Sequence, residues 1–238
     1  MTNPLWFDDC YLKEWSSTVT TALNNEIELD QTAFFPEGGG NPCDQGKIIK
    51  DGIEYSVNEV KKREGRIVHV LDRAGLQSGD SVHCILDWER RYKVMRMHTA
   101  MHCLIQIMFK DTGALVTGNQ IYPDRSRVDV NIENFDRALI EKIVGKANSV
   151  IAEGHDVKIY YLPRDEAMKI EGLVKLAAAM PPNLETLRIV EVVGVDIQAD
   201  GGCHVANTKE IGRLKITKME NKGKSNRRLE FVLEQEAI

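Results

Sequence analysis

Residues 89–110 read ERRYKVMRMHTAMHCLIQIMFK, a run that contains neither proline nor glycine. Apolar residues recur in it at i, i+4, i+7, i+8 and i+11, which is the period of an amphipathic helix. The residues that carry this period are Met97, Met101, Leu104, Ile105 and Met108. We expect a helix of about five or six turns here, with a domain boundary just before it, near Trp88.

The sequence before this helix is typical of β-structure. Short runs of strand-forming residues alternate with turn residues, and the candidate strands are residues 17–21, 26–29, 53–57, 66–70 and 81–86. Strands at such regular spacing favour a small β-barrel or a sandwich. We therefore expect residues 1–88 to form an N-terminal β-domain.

The sequence after the helix mixes strand and helix patterns. The candidate strands are residues 114–122, 127–131, 157–161, 187–193, 213–220 and 228–233, the candidate helices are residues 136–153 and 163–170, and residues 175–183 read as a connector. Gly154 follows the first of these helices, as a C-terminal stop. Residues 89–238 are therefore expected to form an α+β domain.

The composition excludes several classes of protein. With 42% hydrophobic and 28% charged residues, the 238-residue chain is too apolar for a disordered protein and too charged for a membrane protein. Five scattered cysteines without a C-x-x-C pair argue against a disulfide framework. The N-terminus lacks a secretory pattern, so we expect a cytoplasmic protein. No required protein partner is evident.

The net charge of −5 means that a polyanion could bind only where basic residues collect locally. One basic segment contains Lys209, Arg213, Lys215, Lys218, Lys222, Lys224, Arg227 and Arg228, against the acidic Glu210 and Glu220. It predicts either a surface for a polyanion or a solvated hairpin edge protected by lysines.

Two histidines of the predicted helix indicate chemistry. His98 and His102 are four residues apart, so both imidazoles lie on one helix face and could bind one metal ion. The alternative is a pair of hydrogen-bonded core histidines. Thr99 stands where zinc proteases have glutamate, so that peptidase motif is absent.

A second cluster, Asp200-Gly201-Gly202-Cys203-His204, brings a carboxylate, a thiol and an imidazole together beside two glycines. Alone it could be a simple Gly-Gly turn. Combined with the helical pair, it completes a set of three histidines plus Asp200 or Cys203, which suits one tetrahedral zinc ion per chain.

A third cluster, residues 30–46, contains three consecutive glycines and two prolines after an aromatic strand. Its simplest interpretation is a turn. It is not a nucleotide-binding P-loop, because Gly46-Lys47 is followed by Ile48 and Asn41 stands at the position of the first glycine. A serine esterase is also disfavoured, because the sequence contains no nucleophile elbow.

Four segments of the sequence, taken in order, resemble the editing region of alanyl-tRNA synthetase. They are TAFFPEGGG (32–40), WERR (88–91), MRMHTAMH (95–102) and DGGCHV (200–205). More closely, they resemble the freestanding AlaX proteins of medium length. The resemblance runs from about residue 25 to residue 215. No aminoacylation domain precedes it, so we expect an enzyme that edits in trans.

The resemblance implies a β-barrel followed by an α+β domain of the type called the threonyl/alanyl-tRNA synthetase second additional domain. It also implies a zinc-dependent hydrolase that removes serine, or glycine, from tRNA(Ala). His98, His102 and His204 match the family's zinc motif, whereas Asp200 stands at its cysteine position and Cys203 where threonine is usual. The fourth ligand is thus Asp200, which is slightly favoured, Cys203, or a bound water.

The resemblance also assigns roles at the substrate and the tRNA. Thr32 and Asp200 are the candidate catalytic residues, and Thr32 would recognise the serine hydroxyl. Substrate binding would fall to Thr32, Gly38, Gly39, Gly40 and Asn41, with Asn41 replacing the family's usual glutamine. The candidates for contacting acceptor-stem phosphates are Arg90, Arg91, Lys93, Arg96, Lys222, Lys224, Arg227 and Arg228. Alternatively, Arg90 and Arg91 pair with Asp87 and Glu89.

Two other functions remain open from the sequence. One is a zinc hydrolase of a small ester or amide. The other is a non-enzymatic RNA-binding module with a structural zinc ion, for which a closed site of four protein ligands would be characteristic. In a deacylase the metal could either activate water or anchor the substrate.

Overall fold

The computed structural model describes residues 2–173, 175, 184–223 and 226–234. The chain divides into two compact units, Met1–Val94 and Met95–Ile238. The expected helix begins at Trp88, and the division between the units falls inside that helix, after Val94.

The first unit contains a closed six-stranded barrel. The strands of this unit, six of which form the barrel, are β1 (Asn3–Pro4), β2 (Glu14–Leu23), β3 (Glu26–Leu29), β4 (Gln31–Thr32), β5 (Gly46–Lys50), β6 (Ile53–Arg63), β7 (Arg66–Leu71) and β8 (Ser81–Leu86). The barrel order is β2-β3-β7-β6-β5-β8, and β1 pairs in parallel with β4 outside it. Of the two β-architectures that the sequence favoured, the barrel is therefore the one that forms.

The barrel closes through a strand that the sequence pattern did not reveal. β5 pairs with β6 on one side and with β8 on the other, and it begins at Gly46. A Cβ at Gly46 would lie 2.2 Å from the carbonyl oxygen of Ile85 and 2.8 Å from the ring of Phe34. This close approach requires glycine, and the turn-like residues around it conceal the strand in the sequence.

The second unit combines helices with two antiparallel sheets. The elements are α1 (Trp88–Thr112), β9 (Val116–Ile121), β10 (Ser126–Val130), α2 (Arg137–Glu153), β11 (Val157–Pro163), α3 (Arg164–Ala167), β12 (Thr186–Val192), β13 (Asp196–Ala199), β14 (Arg213–Gly223) and β15 (Asn226–Glu234). One sheet has the order β14-β15-β10-β9 and the other β11-β12-β13. This is the expected α+β arrangement.

Helix α1 is buried more completely than its sequence period suggests. The five apolar residues that predicted the helix are all buried. So are most of the residues between them, including the polar His98, Thr99 and His102. An amphipathic surface helix is therefore not what forms; α1 is a core helix, and its buried polar side chains require partners from other elements.

The other predicted helices differ in length. Asp136 caps α2 by accepting the N–H of Leu139, and Gly154 ends the helix with a positive φ of 84°, as the sequence predicts. Helix α3 is limited to Arg164–Ala167, shorter than the predicted residues 163–170. Apart from Lys175, the predicted connector at residues 175–183 lies outside the described residues.

No helix in the described ranges has both the length and the apolar composition needed to cross a membrane.

Candidate metal centre

Three imidazoles and one carboxylate meet inside the second unit. Helix α1 places His98 and His102 one turn apart, and the loop after β13 supplies Asp200 and His204. One potential ligand atom from each of the four residues lies within 4.8 Å of the others. The ring centroids of the three histidines are 4.2 to 5.0 Å apart.

The distances from the Asp200 carboxylate to the three imidazoles are close to those expected between two ligands of a tetrahedral metal ion. The Nε2 atoms of His98 and His102 lie 3.5 and 3.6 Å from Oδ2 of Asp200, and Nε2 of His204 lies 3.4 Å from Oδ1. These distances are longer than good N–H···O hydrogen bonds. Ligands bound at about 2.05 Å in a tetrahedron are about 3.4 Å from one another. The four residues therefore fit zinc without a large rearrangement.

Outer hydrogen bonds orient two of the three imidazoles. Nδ1 of His102 lies 3.1 Å from a carboxylate oxygen of Asp196. The Thr99 hydroxyl donates to the carbonyl of Met95, so its oxygen can accept a proton from Nδ1 of His204 at 3.2 Å. Both rings then carry their proton on Nδ1, which leaves Nε2 free to bind a metal ion.

Asp196 is itself held by a buried lysine. The Nζ atom of Lys175 lies 2.6 Å from Oδ1 of Asp196, and Nε2 of Gln198 donates to Oδ2 at 2.8 Å. The side chain of Asp196 is fully buried and that of Lys175 is 2% exposed. A buried Lys175–Asp196–His102 chain of hydrogen bonds therefore leads to the metal cluster. No sequence motif predicted a role for Lys175 or Asp196.

Glycine is required at position 202 because the loop touches the His98 ring. A Cβ at Gly202 would lie 2.5 Å from Cε1 and 2.8 Å from Nδ1 of His98. The buried Nδ1 of His98 has no hydrogen-bond partner among the described residues. Arg188 of β12 holds the loop by donating to the carbonyl oxygens of Asp200 and Gly202 at 2.8 and 2.9 Å.

Burial and charge shift the pKa values of the cluster in opposite directions. Burial alone would lower the pKa of His102, but Asp196 and Asp200 raise it to about 9. Burial would raise the pKa of Asp200, yet the neighbouring histidines hold it well below its usual range. Burial and the charge of His98 lower the pKa of His204, which keeps that ring neutral. A positive charge beside these carboxylates is thus favoured, and either a protonated His102 or a divalent cation can supply it.

The structure separates the two candidates for the fourth ligand. Asp200 belongs to the group of mutually close donor atoms. Cys203 is buried next to His204 but is not a member of that group.

Thr32 lies in the core of the first unit and is fully buried. Nδ1 of His69 faces the carbonyl of Ile27 at 3.4 Å, so Nε2 of this ring accepts the Thr32 hydroxyl proton at 2.9 Å. Burial lowers the pKa of His69 to about 4 and keeps the ring neutral. The Thr32 oxygen also accepts the N–H of Phe34 at 3.2 Å. No sequence motif predicted a role for His69.

The glycine-rich loop forms a tight turn. Gly38 and Asn41 exchange backbone hydrogen bonds of 3.1 and 2.9 Å, and Gly39 and Gly40 both have positive φ. Two consecutive residues with positive φ define a type I′ turn, for which glycine is the favoured residue. Asn41 is 4% exposed.

The prediction that Arg91 contacts RNA is wrong. Arg91 is 1% exposed. Its guanidinium binds the buried carboxylate of Asp44 and the carbonyl oxygens of Cys10 and Ala33. The ion pair that the structure gives Arg91 is with Asp44, a residue that the sequence alternative of Asp87 and Glu89 did not include.

The other predicted cations near the start of α1 are less buried. The Arg90 side chain donates to the carbonyl of Cys43, and the Arg96 side chain donates to that of Ile211. Lys93 is exposed and pairs with Glu89 at 2.6 Å.

In the hairpin of β14 and β15, several predicted cations are already paired. Lys222 lies 3.2 Å from Glu220, and Arg228 makes two bonds of 2.7 and 2.8 Å to Asp129. Arg227 donates to the side chain of Asn221 at 2.7 Å. Lys224 lies outside the described residues.

Comparison with known proteins identifies the family. The family model described as "Threonyl and Alanyl tRNA synthetase second additional domain" matches residues 187–230, a range that includes Asp196, Asp200 and His204. A second model, "tRNA synthetases class II (A)", matches residues 10–90.

Full-length relatives agree with these matches. The alanyl-tRNA editing protein AlaX-M of Saccharolobus solfataricus is 44% identical over 98% of this chain and 99% of its own length. AlaX-M of Methanosarcina barkeri is 45% identical with the same coverage. The alanine–tRNA ligase of Ignicoccus hospitalis is 37% identical over 97% of this chain, which is 26% of the ligase.

These matches define a family that shares a region with the alanine–tRNA ligases. The chain belongs to the alanyl-tRNA editing proteins of the AlaX-M type, which confirms the resemblance read from the separate motifs.

Proposed function

We propose that this protein is a cytoplasmic aminoacyl-tRNA deacylase that hydrolyses serine, or glycine, from mischarged tRNA(Ala), acting in trans with one zinc ion per chain. The observation that carries the proposal is the convergence of His98, His102, Asp200 and His204. It occurs in a chain that aligns along nearly its whole length with AlaX-M editing proteins.

The donor set of three imidazole nitrogens and one carboxylate oxygen is suited to zinc. When bound, zinc polarises a carbonyl and lowers the pKa of water. Asp196 and Thr99 would keep the rings of His102 and His204 directed at the ion, and Asp200 would complete a tetrahedron. Four protein donors would fill a tetrahedral site, so contact of the ion with the substrate or with water would require a fifth ligand position.

Discrimination against alanine cannot depend on size, because alanine is smaller than serine. A pocket that hydrogen-bonds the serine hydroxyl leaves its own polar group unpaired with alanine, a penalty that can reach about 10⁴-fold. Thr32 is our candidate for this contact. Since His69 takes the Thr32 proton, the Thr32 oxygen would accept a hydrogen bond from the serine hydroxyl. The turn of Gly38, Gly39, Gly40 and Asn41 is proposed to line the substrate site.

For the acceptor stem of the tRNA, exposed cations would contact phosphates without reading base sequence. Lys93 and Lys222 remain candidates. Arg90, Arg96, Arg227 and Arg228 hold carbonyl or carboxylate groups of the protein, so they would contribute mainly positive charge.

The test is deacylation of seryl-, glycyl- and alanyl-tRNA(Ala) by the metal-replete protein. We expect hydrolysis of seryl- or glycyl-tRNA and survival of alanyl-tRNA, with activity lost in His98→Ala and after chelation and restored by added zinc. Lys158→Met, an exposed change on β11, is the control. No hydrolysis of any mischarged tRNA by the metal-replete protein would refute the proposal.

The closed set of four donors also favours a second candidate, an RNA-binding module with a structural zinc ion. The same assay separates the two. A structural role predicts tRNA binding without deacylation, and chelation would then lower the free energy of unfolding.

A further inference from the structure

A groove runs along helix α2 in the second unit. Two adjoining cavities of about 440 and 580 Å³ share Gly145, Asn148 and Arg213 as lining residues, and none of the four metal-cluster residues lines either of them. Their helical lining extends from Arg137 to Ala152. That span corresponds to about 22 Å of helix. We call this surface, between α2 and residues 209–219, the α2 groove.

Gly145 lies on the floor of the α2 groove, and neither backbone conformation nor packing explains it. It is an exposed residue in the interior of α2, and its φ is not positive. A Cβ built there would meet no heavy atom within 4 Å. Glycine inside a helix costs about 0.5 to 1 kcal/mol relative to alanine. The missing side chain does, however, let another molecule approach the helix backbone closely.

The rim of the groove carries an excess of positive charge, with four cations against Glu141 and Glu234. Lys215 is paired with Glu234 at 2.7 Å, and Arg137 lies 3.7 Å from Glu141. Lys209 and Arg213 are exposed, and neither has an ion-pair partner within 4.0 Å in the described part of the chain. Other cations of the basic segment are paired: Lys218 and Lys222 with Glu220, and Arg228 with Asp129. Within the described part of the segment, Lys209, Arg213 and Arg227 are the cations without a carboxylate within 4.0 Å, and two of these three, Lys209 and Arg213, line the groove.

We infer that the α2 groove binds the sugar-phosphate backbone of the tRNA acceptor stem. Arg213 and Lys209 would contact phosphates, and Gly145 would allow the backbone to approach the helix. This inference rests on the proposed function and adds the surface that holds the tRNA. Charge complementarity supports it, because the groove is locally positive in a chain with a net charge of −5.

The groove is also within reach of the metal centre along the chain. Lys209 follows His204 by only a few residues. Five extended residues span at most about 18 Å. One tRNA could therefore place its aminoacyl end at the metal while its stem lies along α2.

The experiment measures the affinity of the full-length protein for uncharged tRNA(Ala), by fluorescence anisotropy, across a series of salt concentrations. We expect Arg213→Gln to weaken binding by about threefold to tenfold and to reduce the salt slope by about one. Lys142→Gln is the matched control, because Lys142 is an exposed cation of α2 outside the groove lining.

Gly145→Ala and Gly145→Leu give a test in which stability and binding change in opposite directions. Both substitutions favour the helix, so the thermal midpoint should stay or rise. Binding of tRNA should weaken from alanine to leucine as the side chain fills the floor. If both Gly145 variants and Arg213→Gln bind tRNA with wild-type affinity and slope, the groove is not the binding surface.

Deacylation of seryl- and glycyl-tRNA(Ala) by the wild-type protein, measured in parallel, separates the two proposals. If the wild type hydrolyses these substrates and the variants bind tRNA as the wild type does, only the proposal that the α2 groove binds tRNA is overturned. Weakened binding by the variants without hydrolysis by the wild type overturns only the deacylase.

Discussion

At the scale of single residues, Asp200 and Cys203 show what a motif can and cannot predict. Both lie beside glycines in one loop, and from sequence either could be the fourth ligand. The choice depends on the path of the loop, which Arg188 sets by binding the carbonyl oxygens of Asp200 and Gly202. Arg188 lies 12 residues before Asp200 on the separate strand β12, so the loop motif itself could not reveal its role.

Arg91 was mispredicted for the same physical reason. A cluster of basic residues at the start of a helix is typical of a surface that binds nucleic acid. The buried Asp44, 47 positions away in sequence, turns Arg91 into an internal ion pair instead. Long-range partners decide whether a basic side chain is exposed or buried.

His69 leads to a prediction about pH. Burial lowers its pKa to about 4 from the ordinary 6.5, so the unfolded chain binds this proton more readily. The stabilisation is complete above pH 6.5 and is lost as the pH falls toward 4, by roughly 3 kcal/mol. We expect His69→Gln, which cannot titrate, to show a shallower loss of unfolding free energy over this range. The measurement is urea unfolding at several pH values.

The comparison between the two proteins is its own control, since all other titrating groups are shared. Parallel plots of unfolding free energy against pH for the wild type and His69→Gln would mean that His69 does not titrate in this window.

At the scale of elements, the sequence predicted helix α1 and its two facing histidines well, because a helical period reports which residues share a face. The helical period could not show which side chains of other elements form hydrogen bonds with these histidines. Asp196 belongs to the short strand β13, which the pattern did not reveal, and Lys175 fell in a stretch interpreted as a connector. Outer partners come from other elements, so periodicity within one element does not locate them.

The Lys175–Asp196–His102 chain predicts a specific loss of metal affinity. In Asp196→Asn the carboxylate that orients His102 becomes an amide, and in Lys175→Met the charge that holds Asp196 disappears. We expect zinc affinity, measured by competition with a chromophoric chelator, to fall by about 10- to 100-fold in each. Lys158→Met should retain wild-type affinity. Wild-type zinc affinity in both variants would show that this buried chain does not support the metal site.

At the scale of the whole molecule, the sequence predicted a barrel or sandwich followed by an α+β unit, and a barrel is what forms. Alternation and turn residues suffice to indicate strands, but closure depends on β5, which is hidden among turn-like residues. The metal cluster similarly joins a helix to a loop about a hundred positions later in the sequence. The motifs suggested this pairing, and only the fold provides its distances.

We propose that His98, His102, His204 and Asp200 together hold a zinc ion. Zinc K-edge X-ray absorption on natively purified protein tests it most directly, because zinc–nitrogen and zinc–oxygen bonds of about 2.0 to 2.2 Å differ from zinc–sulfur bonds of about 2.3 Å. We predict one zinc ion per chain with only nitrogen and oxygen neighbours. A sulfur neighbour, or natively purified protein without any bound zinc, would exclude this set of four ligands.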